Sequence, residues 1–238
     1  MNINAAYYSS AGNRAVNEDS IILMEDLSGV IAIVADGLGG EGNGDAASRI
    51  AVKTISSRLA GSEASKEIVS EAMIHANEEI INLQKNGNRM KSTAAVLFIS
   101  GTCAFAAHVG DTRIYQLRKD RVIYQSIDHS VSQMSVNAGE ITLDEIRRHS
   151  DRNKLTNALG SRNFAKADLI ELNSQNGDAY LLCSDGFWEY VLEDEMREDL
   201  STSNNSAEWL RRMRGRVESR ISQTGDNHSA ITIIIESL

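Results

Sequence analysis

The fold is decided by the stretch Val30-Ile31-Ala32-Ile33-Val34-Ala35-Asp36-Gly37. Six apolar residues follow one another without a polar break, which is typical of a strand buried on both faces. The strand then ends at an aspartate and a glycine. Because such a strand holds its last residue in a fixed place, Asp36 is the first candidate for a functional residue.

Two helices and four strands are predicted after this strand. Apolar residues recur with helical spacing from Asp45 to Leu59 and again from about Ser65 to Gln84, where Asn86-Gly87-Asn88 ends the pattern. Short β-rich runs with tight connections follow and predict an antiparallel meander. These runs are Thr93–Ser100, Cys103–Val109, Arg113–Arg118 and Val122–Gln125.

Further elements are predicted on both sides of this region. Helices come in blocks and the central strands are joined by hairpins, which is typical of the α+β class, with antiparallel sheets covered by helices. No repeat or linker divides the chain, so we expect one domain over residues 1–238. The additional elements are strands at Ser20–Met24, Tyr180–Cys183 and Ala230–Ile235, a helix at Ala207–Ser222, and a short helix with capping-box spacing at Thr142 and Glu145.

Length and composition exclude several classes of protein. The chain has 238 residues, of which 42% are hydrophobic and 24% charged, so it is neither disordered nor fibrous. No apolar run approaches the roughly 20 residues that cross a bilayer, and no secretory signal is evident. A formal charge of −9 disfavours nucleic-acid binding. We therefore expect a cytoplasmic monomer that binds neither membranes nor nucleic acids.

Other acidic residues share the position of Asp36 beside a predicted strand or turn. If the strand ends converge, their carboxylates repel one another unless a divalent cation lies between them. Oxygen ligands without histidine or cysteine suit Mg²⁺ or Mn²⁺, and two such ions form a hydrolytic site for phosphate esters. For any single aspartate, a turn former or helix cap is the alternative. The residues concerned are Asp19, Asp185, Asp226 and Asp111, the last in a predicted hairpin turn.

A dinucleotide-binding loop is a second interpretation of the glycine-rich segment. Gly37, Gly39 and Gly42 match the spacing G-x-G-x-x-G between a strand and a helix. However, Asp36 would repel a pyrophosphate, and the first helix is followed by another helix instead of a parallel strand. The pattern therefore favours a metal site.

Eight blocks occur in order between Gly12 and Ile235, and together they are far more specific than any one alone. They are Gly12–Asp19, Val34–Gly40, Ser92–Ala94, Val109–Arg113, Asp128–Ser130, Leu155–Gly160, Leu182–Trp188 and Asp226-Asn227. This series resembles the PPM family of metal-dependent, type 2C serine/threonine protein phosphatases, in particular its bacterial stand-alone members.

The resemblance implies a fold, an activity and partners. The fold would be an α-β-β-α sandwich of two antiparallel sheets flanked by helices. The activity would be hydrolysis of phosphoserine and phosphothreonine in proteins by a metal-bridging hydroxide, with Mn²⁺ or Mg²⁺ as two tight ions and a third, weaker one. The partners would be phosphorylated proteins and a cognate serine/threonine kinase system.

The resemblance also implies a role for each site residue. Asp36 resembles the carboxylate that bridges two metals, and Gly37 offers its backbone carbonyl. Asp185 and Asp226 resemble the remaining ligands, and Asp111 shares the third metal with Asp185. The remaining roles fall to Glu18 and Asp19, which resemble the acidic pair that holds metal-bound waters, and to Arg14, which resembles the arginine that grips the substrate phosphate.

Three departures from the family pattern stand out. Leu38 replaces a histidine proposed as a general acid in many eukaryotic members, Asn157 replaces an arginine, and Ser150 replaces a proline. The segment from 130 to 150 resembles the mobile flap beside the site. No metal ligand is lost, so an active enzyme is expected. The alternatives are a non-catalytic phosphoprotein-binding module on the same fold, and a narrow phosphatase for one anti-sigma-antagonist protein.

Overall fold

The computed structural model describes residues 1–38, 43–84, 89–119, 121–223 and 225–238. Within these ranges the chain forms strands, α-helices and one 3-10 helix. The strands are β1 (Asn2–Ser10), β2 (Asp19–Asp26), β3 (Gly29–Leu38), β4 (Lys91–Ser92), β5 (Ala94–Ser100), β6 (Cys103–Val109), β7 (Arg113–Arg118), β8 (Arg121–Gln125), β9 (Asp168–Asn173), β10 (Asp178–Cys183) and β11 (His228–Ser237). The helices are α1 (Gly44–Leu59), α2 (Lys66–Leu83), α3 (Val131–Asn137), the 3-10 helix (Leu143–Arg148), α4 (Asp185–Trp188), α5 (Glu193–Ser201) and α6 (Ser206–Arg220).

Two antiparallel sheets stack face to face with helices on their outer sides. One sheet has the order β1-β11-β10-β7-β8, and the other has the order β2-β3-β5-β6-β9, with β4 pairing to the end of β3. Helices α1 and α2 cover the outer face of the second sheet, and α6 packs on β1 and β11. The predicted α+β sandwich is confirmed.

The strand β3 shows why the sequence folds this way. Its residues alternate between two cores: Ile31, Ile33 and Ala35 pack against α1 and α2, whereas Val30, Ala32 and Val34 pack between the two sheets. All six are fully buried. A strand with helices on one face and a sheet on the other needs apolar residues at every position, which explains the unbroken run.

The predicted central meander is wrong at one connection. β5 pairs with β6 and β7 pairs with β8, but β6 and β7 belong to different sheets. The chain therefore crosses from one sheet to the other at Gly110-Asp111-Thr112, so Asp111 does not sit in a hairpin turn. Gly110 has a φ of +90°, and a Cβ there would lie 2.6 Å from the Thr93 side chain, so this crossing depends on glycine.

The remaining elements include a confirmed prediction as well as strands and a helix that were missed. The capping box is confirmed, since the Glu145 carboxylate accepts hydrogen bonds from the backbone N–H and the hydroxyl of Thr142. Strands β1 and β9 and helix α5 were not predicted. The helix stop at Asn86-Gly87-Asn88 lies outside the described residues. Among the described helices, none is both long enough and apolar enough to span a bilayer.

Candidate active site

An acidic cavity of about 280 Å³ opens where β3, the sheet crossing and the loops around α4 and β11 meet. Its lining includes seven of the eight predicted site residues. The eighth, Asp19, lies directly opposite Asp36 in the β2–β3 pairing. Separate segments of the chain thus bring the predicted residues to one place. The seven are Arg14, Glu18, Asp36, Gly37, Asp111, Asp185 and Asp226.

The backbone around Asp36 is fixed by Ser92 and Thr93. The Asp36 N–H donates to Thr93 Oγ1 at 2.9 Å, and its carbonyl accepts from the Thr93 N–H at 2.8 Å and from Ser92 Oγ at 3.0 Å. The next residue, Gly37, tolerates no side chain, because a Cβ would lie 2.1 Å from the Gly44 carbonyl oxygen. This end of β3 is therefore held in a single conformation.

Asp111 is buried at the crossing between the sheets, and its Oδ1 has no hydrogen-bond partner. Its backbone carbonyl accepts a hydrogen bond from Trp188 Nε1 at 2.9 Å. Trp188 in turn lies under the guanidinium of Arg113, 3.5 Å from the ring centroid, and Arg113 forms a buried, bidentate ion pair with Asp128. The buried contacts among Trp188, Arg113 and Asp128 therefore hold the backbone of Asp111 in place.

Asp185 begins the short helix α4, directly after β10. Its Oδ1 accepts from the Gly186 N–H at 2.6 Å. A Cβ on Gly186 would lie 2.1 Å from the carbonyl oxygen of Asn227, so glycine lets this loop approach the Asp226-Asn227 loop closely.

Asn227 connects the loop of Arg14 to the loop of Asp226. Its Oδ1 accepts from the Glu18 N–H at 2.8 Å, and its Nδ2 donates to the carbonyls of Ala11 and Val16. Asn227 belongs to the Asp226-Asn227 motif, but the sequence alone assigned it no role. This buried amide is the positioning residue that sequence reasoning missed.

Asp19 and Arg14 mark the inner and outer limits of the cluster. Asp19 is buried, with Oδ2 accepting from Ser184 Oγ at 2.8 Å and Oδ1 left without a partner. Arg14 is exposed and donates from Nη2 to Asp226 Oδ2 at 3.0 Å. The Arg14 guanidinium thus lies at the opening of a cavity whose other charged residues are acidic.

The cluster is electrostatically unfavourable by itself. Burial, followed by the nearby Asp185 carboxylate, raises the pKa of Asp36 well above its usual range. Burial followed by Asp111 does the same to the pKa of Asp185. Burial also raises the pKa of Asp19 to about 6 and that of Asp111 to about 7. These groups lack the positive charge that would stabilise their ionised forms.

The donor set fits divalent metal ions. Two buried carboxylate oxygens, Asp19 Oδ1 and Asp111 Oδ1, have no donor directed at them. Carboxylates and a backbone carbonyl are hard oxygen ligands, which suit Mg²⁺ or Mn²⁺. A bound cation would reverse the raised pKa values and relieve the repulsion.

The three departures from the family pattern lie in different places. Leu38 lines the cavity beside Gly37. Asn157 Nδ2 is directed away from the aspartates, toward the carbonyls of Ala165 and Lys166 at 3.3 and 3.4 Å. Ser150 begins the 150–153 turn that follows the 3-10 helix.

A separate group of potential metal ligands was not predicted. His108, His129 and Asp168 each place one donor atom within 4.8 Å of the others. However, His129 Nδ1 accepts from the Gly110 N–H, so the neutral ring carries its proton on Nε2, the atom facing Asp168. His108 Nε2 donates to the Ile127 carbonyl at 2.7 Å. The two stacked rings are therefore structural groups with hydrogen-bond partners.

Comparison with known proteins identifies the family of the chain. The sequence profile of the protein phosphatase 2C family matches residues 8–225. The serine/threonine phosphatase stp of Listeria innocua is 32% identical over 187 residues, which cover 75% of this chain and 74% of that protein. The crystal structure of the Mycobacterium tuberculosis serine/threonine phosphatase PstP/Ppp superimposes with a TM-score of 0.86 at 26% identity, covering 99% of both chains. The catalytic domain of PstP in complex with two manganese ions gives a TM-score of 0.84 at 25% identity, with 98% and 97% covered.

The fold and the acidic cavity define a metal-dependent phosphoric monoester hydrolase. The chain belongs to the protein phosphatase 2C family and is a serine/threonine protein phosphatase that uses divalent ions such as Mn²⁺ or Mg²⁺. The dinucleotide interpretation is not favoured, because β3 is followed in its sheet by antiparallel β5; Gly39 and Gly42 lie outside the described residues.

Proposed function

We propose that the acidic cavity is the catalytic centre for phosphoserine and phosphothreonine hydrolysis, with the roles expected from the sequence. Asp36, the Gly37 carbonyl, Asp185 and Asp226 would hold two ions, and Asp111 with Asp185 a weaker third. The observation that carries the proposal is the convergence of carboxylates on one cavity, of which Asp19 and Asp111 are buried and each has one oxygen without a donor. The metals supply positive charge that activates water and binds phosphoryl oxygens.

The chain's own residues orient the reactants. Arg14 stands exposed at the mouth of the cavity, where its planar fork can bind two oxygens of a phosphate monoester. Glu18 and Asp19 present acceptor oxygens that orient water beside the ligands. Among the described residues no cysteine lines the cavity, so a cysteinyl phosphate has no nucleophile there, and we expect direct attack of water. Leu38 stands where a general acid is proposed in other members, so the leaving oxygen takes its proton from water.

The function can be tested with p-nitrophenyl phosphate and a phosphoserine peptide. Turnover should vanish in EDTA, return with Mn²⁺ and return poorly with Zn²⁺ alone. Asp36→Asn and Asp185→Asn should each abolish turnover, whereas Asp194→Asn, an exposed carboxylate on α5, should retain it. Full turnover in excess chelator, or in either site variant, would refute the proposal.

We further propose that the protein acts as one domain over residues 1–238, as a cytoplasmic monomer opposite a cognate serine/threonine kinase. Two free cysteines, one of them buried, are consistent with a reducing compartment. A hydrolase for phosphoserine also requires a kinase that forms this ester. Light scattering at micromolar concentration tests the monomer, and a phosphoproteome comparison with and without the gene tests the substrates.

A further inference from the structure

A trench leads away from the active-site cavity along one side of the molecule. The active-site cavity shares Leu38 and Asn153 with a second cavity of about 260 Å³. The second cavity shares its far wall with a third of about 600 Å³, through Lys91 and the 156–161 segment. The three cavities therefore lie side by side, each sharing wall residues with the next.

The charge of the trench is opposite to that of the active site. Arg89, Lys91 and Arg162 line the third cavity, and no aspartate or glutamate among the described residues does. All three side chains are exposed, and within the described part of the chain none forms an ion pair. In a protein with a formal charge of −9, an unpaired group of three cations marks a binding surface for anions.

The floor of the trench is rigid. Gln84 Nε2 donates to the carbonyls of Met90 and Gly160, both at 2.7 Å. Asn77 Oδ1 accepts from the Gly160 N–H at 2.8 Å and the Ser161 N–H at 3.2 Å. These two amides join α2 to both walls of the trench, so the cations are carried on a preformed surface.

The spacing fits a polypeptide substrate. Lys91 lies directly opposite Leu38 in the β3–β4 pairing, two residues beyond Asp36. At about 3.3 Å per residue of strand, Lys91 is roughly 7 Å along the trench from the catalytic aspartate, and Arg89 lies two residues further. An extended peptide with its phosphoserine at Asp36 would place residues about two to four positions away beside Lys91 and Arg89.

We propose that the basic trench, defined by Arg89, Lys91 and Arg162, binds aspartate and glutamate side chains located about two to four residues from the phosphoserine. The substrates are then phosphoproteins with an acidic segment beside the phosphorylated residue. This inference rests on the proposed function, because it assigns the phosphoserine to the acidic cavity.

The test compares four phosphoserine peptides, with three Asp or three Asn residues on the N-terminal or the C-terminal side of the phosphoserine. With Mn²⁺ at low salt, the Asp peptide of one direction should have a kcat/KM about tenfold above its Asn match, because exposed ion pairs are individually weak but three act together. The preference should shrink in 0.5 M salt. The triple variant R89A/K91A/R162A should lose it and keep wild-type turnover of p-nitrophenyl phosphate.

A charge-matched control is K53A/R58A/R121A, which removes three exposed cations elsewhere and should keep the preference. Equal kcat/KM for Asp and Asn peptides, or equal loss in both triple variants, would overturn the trench proposal. A preference that appears only with a second phosphate in place of the aspartates would also overturn it. If neither p-nitrophenyl phosphate nor any peptide is hydrolysed, the proposed function itself fails.

Discussion

Asp19 and Asp36 lie directly opposite each other on the paired strands β2 and β3. Like charges at facing positions of an antiparallel pair destabilise the sheet, and here Asp19 is buried while Asp36 lines the cavity. Burial raises the pKa of Asp19 to about 6, and burial and Asp185 raise the pKa of Asp36. Repulsion among these carboxylates therefore lowers the stability of the folded, metal-free protein at neutral pH. A divalent cation bound between them would remove this repulsion.

The sign of this effect predicts a pH dependence of stability. When the folded-state pKa of a carboxyl lies above its unfolded value, the unfolded state loses its proton first, and stability falls as pH rises through that window. For Asp19 the window runs from 3.8 to about 6, and for Asp111 from 3.8 to about 7. In EDTA, the free energy of unfolding should fall between pH 5 and 7.5, with Asp19 contributing about 1 kcal/mol, because only the part of its window from pH 5 to about 6 lies in this range.

Urea unfolding at several pH values in EDTA and in Mn²⁺ measures this. Excess Mn²⁺ should abolish the decline, and Asp19→Asn should reduce it in EDTA, whereas Asp194→Asn on the surface should leave it unchanged. A metal-free protein whose stability rises steadily from pH 5 to 7.5 would contradict the assignment.

Trp188 is predicted to support catalysis through its hydrogen bond to Asp111. Trp188→Phe removes the N–H donor but keeps a ring beneath Arg113, and it leaves the buried Asp111 carbonyl unsatisfied, at a cost of about 1–3 kcal/mol. We expect lower turnover and a weakened response to high Mn²⁺. Trp209→Phe is a matched control, since its Nε1 donates to the Met196 carbonyl at the same 2.9 Å, within the buried contact of α5 and α6. It should lose similar stability but keep its kcat.

Asn227 is predicted to control metal affinity without touching the ions. Asn227→Ala removes the hydrogen bonds to Ala11, Val16 and Glu18, so the loop that carries Arg14 and Glu18 loses its fixed position. Calorimetry should show weaker Mn²⁺ binding, and KM for p-nitrophenyl phosphate should rise. Asn205→Ala removes the N-cap of α6, and it should lower the melting temperature while Mn²⁺ affinity is retained.

Particular residues show how far the sequence could predict this structure. The apolar run of β3 and the periodicity of α1 are local signals, so both elements were predicted. The bounds of α1 were right within one residue, whereas β3 continues three residues beyond the predicted end at Ala35, to Leu38. The eight ordered motifs led to eight predicted site residues, of which seven line the acidic cavity. The crossing at Asp111 was missed because β6 and β7 are apolar whether or not they pair, and nothing local distinguishes a hairpin from a change of sheet. The contacts of Trp188 and Asn227 join residues 77 and 209 positions apart, a relationship that only the fold creates.

Arg14→Ala should raise KM more than it lowers kcat. Its proposed partner is a phosphate oxygen, which is present in both the ground state and the transition state. A lost charge-assisted hydrogen bond corresponds to about 1.5–3 kcal/mol, or roughly ten- to a hundredfold in kcat/KM. Arg49→Ala is the control, because Arg49 forms a similarly exposed pair with Asp45 at 2.8 Å. An unchanged KM in Arg14→Ala would reassign Arg14 to a structural role.

Asp111→Asn tests the third-metal role, and the structure sharpens the alternative. Asp111 is not in a hairpin and its Oδ1 has no partner, so capping of a hairpin turn does not account for this oxygen. Asparagine keeps the shape and removes a charge that burial disfavours, so the metal-free variant should be at least as stable as wild type. The ligands Asp36, Gly37, Asp185 and Asp226 remain, so calorimetry should still show two bound Mn²⁺ ions. Turnover should nevertheless fall greatly and resist rescue by moderate Mn²⁺, whereas wild-type turnover at the same Mn²⁺ concentration would show that Asp111 holds no catalytic ion.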